Sequence, residues 1–347
     1  MAQINKPTDY FNTVLYTGTG STQSITGVGF QPDWVWLKRR DNVGRHRLFD
    51  AVRGATKSVR SDDSEAEITR ADSLTSFDSD GFTLGADSIS GGINVNISGE
   101  TMVGWSWLGA NTTASNTDGS ITSTVSANTT SGFSIVSYTG TGSNATVGHG
   151  LGVAPSWIVI KGRNQTEDWT TYHISTGNTK NVILNSTAVP DTSTTYWQDT
   201  SPTSSVFYLG SSTRPNTSGG TYIAYCFAEK KGFSKFGSYV GNGNADGTFV
   251  YTGFKPAFTI LKRTDSADNW LMQDNKRKNP FNVVDTQLFP DLDNAESSSS
   301  AILDYCSNGF KIRKTGGNIN ASGGSYIYMC FAENPLVGTN NIPATAR

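Results

Sequence analysis

Short runs of β-branched and aromatic residues, separated by polar segments, are the dominant pattern along this chain. Trp34–Lys38 and Trp157–Lys161 each follow a proline and end on a charge, and Tyr222–Ala228 is a third such run. Uninterrupted apolar runs of this length predict strands that are buried on both faces. Proline fits just ahead of such a strand, where no ladder donor is required. The steps Asp80-Gly81 and Asn308-Gly309, which precede apolar segments, predict hairpin turns.

The same order of segments occurs three times. The middle block reads GFQPDWVWLKRRD from Gly29, GVAPSWIVIKGRN from Gly152 and GFKPAFTILKRTD from Gly253. Its prolines are 123 and 101 residues apart, and the tyrosines of the preceding block are 122 and 101 residues apart: Pro32, Pro155 and Pro256; Tyr16, Tyr138 and Tyr239. Two landmarks with matching offsets indicate an internal repeat. A closing block, SGGTYIAYCFAE or SGGSYIYMCFAE, ends the second and third copies, and the weaker SGETMVGWSWLGA ends the first.

The repeat predicts an all-β fold of three tandem, divergent β-sandwich or jelly-roll-like modules, each with six to nine short strands. We assign residues 1–112 to module 1, 132–231 to module 2 and 232–334 to module 3. Residues 113–131 carry few apolar side chains and are expected to form a linker and a weak edge strand, and 335–347 a polar C-terminal tail. The join between modules 2 and 3 is short, which favours tight packing. A pseudo-threefold arrangement and a linear array both fit three modules.

Composition supports an ordered chain and excludes some partners. Glycine is abundant, with 37 residues, and only 16% of residues are charged, which is typical of short strands and polar turns. Disorder is the alternative, but 8 Trp, 13 Tyr and 17 Phe with a net charge of only -2 oppose it. That charge provides no field to attract nucleic acid. The basic runs Lys38-Arg39-Arg40 and Lys276-Arg277-Lys278 are expected to be solvated strand ends.

Cysteine usage and the N-terminal residues bear on the compartment of synthesis. Three cysteines, Cys226, Cys306 and Cys330, with no CxxC pair do not form a disulfide framework and fit a reducing compartment. The N-terminal residues contain no apolar signal-peptide core, and no apolar run is long enough to span a bilayer, so we expect no membrane association. Cys226 and Cys330 occupy the same position of a buried strand, which predicts packing and not catalysis.

Residues with catalytic or metal-binding chemistry are few, and none forms a diagnostic motif. His46, His149 and His173 have no partner at metal-ligand spacing, and His149 is expected to cap a turn. A Ser-His-Asp triad assembled in space stays open, although the chain has no GxSxG elbow. The GTGS segments lack a P-loop lysine. We therefore predict no catalytic, cofactor-binding or metal-binding residues and no cofactor, and the ligand-binding residues stay unknown.

Two acidic stretches and a set of tryptophans are the remaining candidates. The stretches Asp62–Glu67 and Asp291–Glu296 lack the calcium-loop pattern and are expected to be solvated loops. Carboxylate pairs of glycosidases cannot be recognised by sequence spacing. Tryptophan can stack on sugars, but burial in sandwich cores is the first prediction here. It applies to Trp105, Trp107, Trp169, Trp197 and Trp270.

Several strings in the chain resemble a repeated β module of tailed bacteriophages, marine ones especially. They are DGSITSTVSANTTSGFSIVSYTGTG from Asp118, HGLGVAPSWIVIKGRN from His149, GFQPDWVWLKRRD, and the ending YIYMCFAENP from Tyr326. The resemblance covers nearly the whole chain and implies a virion structural protein. It carries over no functional residues. It also implies synthesis in a bacterial cytoplasm, in agreement with the free thiols.

These observations lead to several functional hypotheses. We expect a non-enzymatic virion protein exposed on the particle, with tail-associated or fibre-like host recognition as the first hypothesis. A capsid decoration (cement) protein and a carbohydrate-binding module protein are the alternatives. A polysaccharide depolymerase would need two convergent carboxylates and would suit a long β-helix better. The expected partners are other virion proteins, further copies of the chain as a homo-oligomer, and a host glycan or receptor, without nucleic acid or membrane.

Overall fold

A computed structural model of the chain describes residues 3–88, 94–277, 281–338 and 343–345. In these ranges nearly all regular structure is antiparallel β, and the all-β prediction is confirmed. A short 3-10 helix covers Pro7–Asp9, and three helices have four residues each. No helix in the described ranges is long and apolar enough to cross a bilayer.

Module 1 begins with the strand that carries the first conserved tyrosine and ends with the closing block. Its strands are β1 (Phe11–Thr17), β2 (Gln23–Ile25), β3 (Trp34–Arg39), β4 (Arg47–Asp50), β5 (Lys57–Val59), β6 (Ile68–Thr69), β7 (Leu74–Asp78), β8 (Gly81–Leu84) and β9 (Thr101–Trp107). The predicted turn at Asp80-Gly81 joins β7 to β8 in an antiparallel hairpin.

Residues 113–131 provide two strands that extend the sheet of module 2. They are β10 (Ala114–Asn116) and β11 (Ser123–Asn128), and β11 pairs with the first strand of the module itself. Module 2 then contains β12 (Phe133–Thr139), β13 (Ala145–Gly148), β14 (Trp157–Gly162), β15 (Thr170–His173), β16 (Lys180–Ile183), β17 (Asp191–Thr192), α1 (Thr194–Trp197), β18 (Val206–Leu209), α2 (Thr213–Asn216) and β19 (Thr221–Phe227).

Module 3 repeats the plan with longer strands. It contains β20 (Ser234–Val240), β21 (Phe249–Tyr251), β22 (Phe254–Arg263), β23 (Leu271–Asp274), β24 (Val284–Gln287), β25 (Ser297–Cys306), β26 (Gly309–Ile312), α3 (Gly317–Asn320) and β27 (Ser325–Pro335). The predicted turn at Asn308-Gly309 joins β25 to β26.

Each module is a sandwich of a large sheet and a small one. The large sheets share one strand order: β1-β9-β3-β4 in module 1, β12-β19-β14-β15 in module 2 and β20-β27-β22-β23 in module 3. The opposing small sheets are β2-β8-β7, β13-β18 and β21-β26-β25-β24. The apolar residues between the two sheets form a separate core in each module.

The second face of each large sheet is also buried. Along β3, Trp34 and Trp36 point towards the centre of the molecule, whereas Val35 and Leu37 point into the module 1 core. Side chains of a strand alternate between the two faces of a sheet, so an uninterrupted apolar run is needed to bury both. All six residues of β3 and of β14 are buried, and the prediction of strands buried on both faces is confirmed.

The three inner faces enclose one shared aromatic core on a pseudo-threefold axis. Trp107, Phe227 and Phe331 occupy equivalent positions of β9, β19 and β27. Their ring centroids are 6.5, 5.6 and 5.8 Å apart, so each ring contacts the other two. Of the two arrangements that the module count allows, the structure has the pseudo-threefold one, and no module has its inner sheet face exposed.

The Thr-Gly-Thr-Gly turn and its counterpart in module 3 place glycine where a side chain would not fit. Gly20, Gly142 and Gly243 have φ angles of 67°, 73° and 69°, which L-residues rarely adopt. The prediction that these glycines take positive φ is confirmed. Each turn lies against a serine of its own closing block, which fixes the start of β9, β19 or β27.

Candidate binding groove between modules 2 and 3

One buried lysine per module lies near the end of β3, β14 or β22, the strands of the repeated middle block. They are Lys38, Lys161 and Lys262. Burial lowers the pKa of each to about 8. A buried ammonium group is tolerated only where its protons are donated to good acceptors.

The acceptors are main-chain carbonyl oxygens, and each lysine reaches one in the neighbouring module. The bonds are Lys38 to Asn294 at 2.8 Å, Lys161 to Ser64 at 3.1 Å and Lys262 to Thr187 at 2.9 Å. Module 1 thus donates to module 3, module 2 to module 1 and module 3 to module 2. Because the direction is the same each time, the three bonds close a ring of modules. We call the contacts junction 3/1, junction 1/2 and junction 2/3.

The prediction that both basic runs are solvated strand ends was wrong for most of their residues. In Lys38-Arg39-Arg40 the first two residues are buried, and Arg40 pairs with Glu296 of module 3 at 3.0 Å. In Lys276-Arg277-Lys278 only the first residue is exposed, Arg277 is 1% exposed, and the last lies outside the described residues. These cations are buried because the strand ends meet another module, which periodicity within one strand does not reveal.

Junction 1/2 contains a network of four charged side chains. The Arg53 guanidinium, with a fully buried side chain, pairs with Asp50 and lies 3.3 Å from the Glu67 carboxylate. Arg163 of module 2 donates to both Glu67 oxygens, at 2.9 and 3.1 Å. Burial alone would raise the pKa of Glu67, but Arg163 and Arg53 outweigh it and hold that pKa below its usual value. The Glu67 amide also donates to the Arg163 carbonyl at 2.8 Å.

Junction 3/1 repeats this network with equivalent residues. Arg277 pairs with Asp274 at 2.6 Å and with Glu296 at 3.1 Å. Arg40 of module 1 donates to both Glu296 oxygens, at 3.1 and 3.0 Å. The Glu296 amide donates to the Arg40 carbonyl at 2.7 Å. Two junctions are therefore closed by a glutamate held between an arginine of its own module and one of the next.

The acidic stretches are the source of these glutamates, and the prediction of solvated loops was wrong. Asp62–Glu67 supplies Glu67 and also Asp62, whose buried side chain pairs with Arg45 at 3.0 Å. In Asp291–Glu296, the Asp291 carboxylate accepts the Trp270 amide at 3.1 Å, and burial raises its pKa to about 7. Both stretches pack against another module, so their oxygens serve the junctions.

Among the residues that the structure describes, junction 2/3 has no counterpart of this network. The network positions of Asp50, Arg53 and Glu67 correspond to His173, Thr176 and Pro190 in module 2. The position of Arg163 corresponds to Thr264 in module 3. His173 Nε2 donates to the Tyr328 carbonyl at 3.1 Å, which takes over part of the link. Pro190 has neither a carboxylate nor an amide proton, and Thr264 is too short to replace arginine. The side chains that fill the other two junctions are therefore absent here.

A groove of about 420 Å³ occupies that place. One wall comes from module 2 and the other from β20, β27 and the end of β22 in module 3. Its lining residues are Ser175, Thr176, Lys180, Pro190, Ser238, Tyr239, Val240, Thr264, Ser325, Tyr326 and Ile327. We call it the 2/3 groove. A concave site between modules that combines apolar walls with a few polar groups is a typical position for a small-molecule ligand.

Four polar side chains in the 2/3 groove have no protein partner among the described residues. They are the ammonium of Lys180 and the hydroxyls of Ser175, Ser238 and Ser325. Lys180 alone among the lining residues carries a formal charge. Its equivalent in module 1, Lys57, lies 4.0 Å from Glu67. Lys180 is therefore a cation whose usual carboxylate neighbour is missing.

The candidates from the sequence lie away from this groove, apart from His173 at its inner end. His46 accepts the Trp36 indole N–H at Nδ1 and donates from Nε2 to the Phe289 carbonyl of module 3 at 3.0 Å, in the position that Trp169 and Trp270 have in the other modules. His149 accepts the Leu151 amide at 3.2 Å, which confirms the predicted turn cap. Within the described ranges no three His, Cys, Asp or Glu residues are grouped as a metal site.

The predicted burial of the tryptophans and of Cys226 and Cys330 is confirmed, but the sandwich-core location is wrong for every named tryptophan except Trp197, because the others lie between the modules. All eight tryptophans are at most 2% exposed, and seven of them belong to the shared core. Cys226 and Cys330 are fully buried, and burial raises the pKa of both thiols. The 2/3 groove itself was not predicted. In the sequence, Pro190 and Thr264 depart from the repeat. These departures indicate a groove only once it is known that the two positions face each other across junction 2/3.

Comparison with family models gives a match to a domain of unknown function, DUF7483, over residues 6–335. One model thus spans all three modules. Comparison with curated proteins gave no match. Comparison with solved structures gave none either.

Proposed function

We propose that this chain, a member of the DUF7483 family of domains of unknown function, is a structural protein of a tailed-bacteriophage virion, exposed on the particle. Within that role we propose a tail-associated, host-recognition component made in the bacterial cytoplasm. The observation that carries the proposal is the closed pseudo-threefold ring of sandwich modules. The resemblance of its repeated strings to phage virion modules supplies the kind of particle.

The ring architecture supports an assembly role. Most oligomers are built on closed symmetry, and a single chain with pseudo-threefold symmetry can be seated on a threefold partner. The shared core and the three lysine bonds fix the modules relative to one another, so the outer sheets form one rigid surface. A rigid, repeated surface suits attachment to other virion proteins, including further copies of the chain.

A non-catalytic role is part of this proposal. The charged pairs Arg163 with Glu67 and Arg40 with Glu296 hold the modules together. The buried histidines likewise bond to main-chain groups of turns or neighbouring modules. Side chains that are engaged in this way are unsuited to proton transfer with a substrate.

Capsid decoration is the second candidate, and one observation favours it. A pseudo-threefold chain matches a local threefold point of a capsid lattice without need of trimerisation. The carbohydrate-binding alternative receives no support from an exposed tryptophan platform, because all eight tryptophans are buried. The observation that does support the carbohydrate-binding alternative is the 2/3 groove, with its hydroxyl groups and apolar walls.

Localisation in the particle tests the proposal. Virions of the phage that encodes the chain are purified, their proteins are identified by mass spectrometry, and the chain is located by cryo-electron microscopy. Density for the three-module ring at the tail supports the host-recognition role. Density on the capsid lattice replaces it with decoration. Absence of the chain from purified virions overturns both.

A further inference from the structure

We infer that the 2/3 groove binds a carboxylated sugar, with Lys180 as the group that holds the carboxylate. This inference deepens the proposed host-recognition function and rests on it for the biological source of the sugar. The binding itself follows from the junctions of the ring.

The filled junctions show where a carboxylate belongs. In junction 1/2 the Glu67 carboxylate is held by Arg163 at 2.9 Å and by Arg53 at 3.3 Å, with Lys57 at 4.0 Å. In junction 3/1 Glu296 has the same position. Junction 2/3 has the same backbone plan, but Pro190 stands at the glutamate position. The space of an internal carboxylate is thus left open to one from outside.

Junction 2/3 keeps the lysine that lies next to the glutamate position in junction 1/2. Lys180 stands at the position of Lys57, on the strand that pairs with β17 as β5 pairs with β6. The two arginines are replaced by Thr176 and Thr264, which leave room and keep hydroxyl groups. One ammonium group in a partly open site favours a single negative charge. It is too little for a polyphosphate or nucleic acid backbone, which needs several cations.

The rest of the lining suits a sugar ring. The free hydroxyls of Ser175, Ser238 and Ser325 can donate to or accept from sugar hydroxyls. Pro190, Val240 and the edge of Tyr239 provide apolar surface for the carbon face of a pyranose. A volume of about 420 Å³ accommodates a sugar of one or two rings. Hydroxyl donors, apolar walls and a cation together favour an acidic sugar over a purely apolar ligand.

The test compares two sugars that differ in one group. The full-length chain is titrated with methyl glucuronide and with methyl glucoside, and binding is followed by NMR chemical-shift changes and ligand-observed saturation transfer. We expect saturable binding of the glucuronide, and weaker binding of the glucoside by about tenfold, because a charge-assisted hydrogen bond is lost. Acetate is titrated as the bare anion, and we expect no comparable affinity.

Two variants locate the site. Lys180→Ala should weaken glucuronide binding by about tenfold, whereas Lys57→Ala, the matched lysine of junction 1/2, should leave it unchanged. The double variant Pro190→Glu with Thr264→Arg should restore the glutamate–arginine pair across the junction, occupy the place of the ligand carboxylate and abolish binding. Circular dichroism and thermal unfolding confirm that each variant is folded.

Several results would overturn the inference. They are no saturable binding of the glucuronide, equal affinity for glucuronide and glucoside, equal affinity for acetate, and an unchanged affinity in Lys180→Ala. If an extended peptide binds along the edge strand β20 and no sugar binds, peptide recognition replaces the sugar site. Since the titration uses purified chain, its failure leaves the virion role intact, and absence from virions leaves the sugar site intact.

Discussion

The ammonium group of Lys262 donates a hydrogen bond of 2.9 Å to the carbonyl oxygen of Thr187 in the adjacent module. This bond and its two equivalents link the three modules in one direction around the axis. The three lysine side chains are buried, whereas Thr187 and Asn294 lie at the surface, so the bonds hold a buried cation to the rim of the next module. The ring closure thus depends on three buried lysines, although lysine side chains are usually exposed to solvent.

Loss of one ring lysine should destabilise the whole chain. We expect Lys262→Met to lower the free energy of unfolding by about 2–4 kcal/mol, because the charge-assisted bonds to the Thr187 and Asp268 carbonyls are lost. The exposed Lys276→Met serves as the control and should change stability by less than about 0.5 kcal/mol. Urea unfolding followed by tryptophan fluorescence measures both. A loss in Lys262→Met no larger than in the control would contradict the ring account.

The junction glutamates should matter where the network is present and only there. We expect Glu67→Gln and Glu296→Gln each to lower the free energy of unfolding by about 1–3 kcal/mol, because a buried arginine loses one of its charged partners. The matched change Pro190→Gln in junction 2/3 removes no such pair and should have a small effect. Chemical denaturation measures the free energy of unfolding of the three variants. Equal losses in all three would refute the assignment of the network to two junctions.

Acidification should weaken junction 2/3 through His173. Burial lowers the pKa of His173 to about 4, from a usual value of 6.5. As pH falls from 6.5 towards 4, the unfolded chain takes up a proton that the folded chain does not. The stability contributed by the neutral histidine is therefore lost in that window, by up to about 3 kcal/mol.

The variant His173→Asn isolates this effect. It has no titrating group at the position, so its free energy of unfolding should fall less between pH 6.5 and pH 4 than that of the native chain. Denaturant unfolding at a series of pH values gives the difference. Parallel pH profiles for the two proteins would show that His173 does not control the acid response.

The sequence was sufficient to predict the repeat, the strands and their burial. Residues 34–37 contain no polar position, so this strand had to be buried on both faces, and the prolines Pro32, Pro155 and Pro256, whose offsets match those of the tyrosines, defined the modules. Glycines such as Gly20 were recognisable because only a turn with positive φ requires them. These features depend on residues close together in the chain.

The junctions could not be predicted in the same way. Arg40 and Glu296 are neighbours only because the ring closes, and nothing within one module shows that a charged strand end will meet another module. Charged residues are rarely buried without partners, so solvent exposure was the reasonable expectation. The 2/3 groove is defined by side chains that junction 2/3 lacks, and it became visible only when the three junctions were compared.

The most direct test of the shared core is native-state hydrogen exchange followed by mass spectrometry. Amides of β9, β19 and β27, which reach the axis at Trp107, Phe227 and Phe331, should exchange with the same free energy of opening. Equal protection means that the three modules unfold as one unit. Full protection in two of these strands with early exchange in the third would contradict the account, because that module would then be stable or labile on its own.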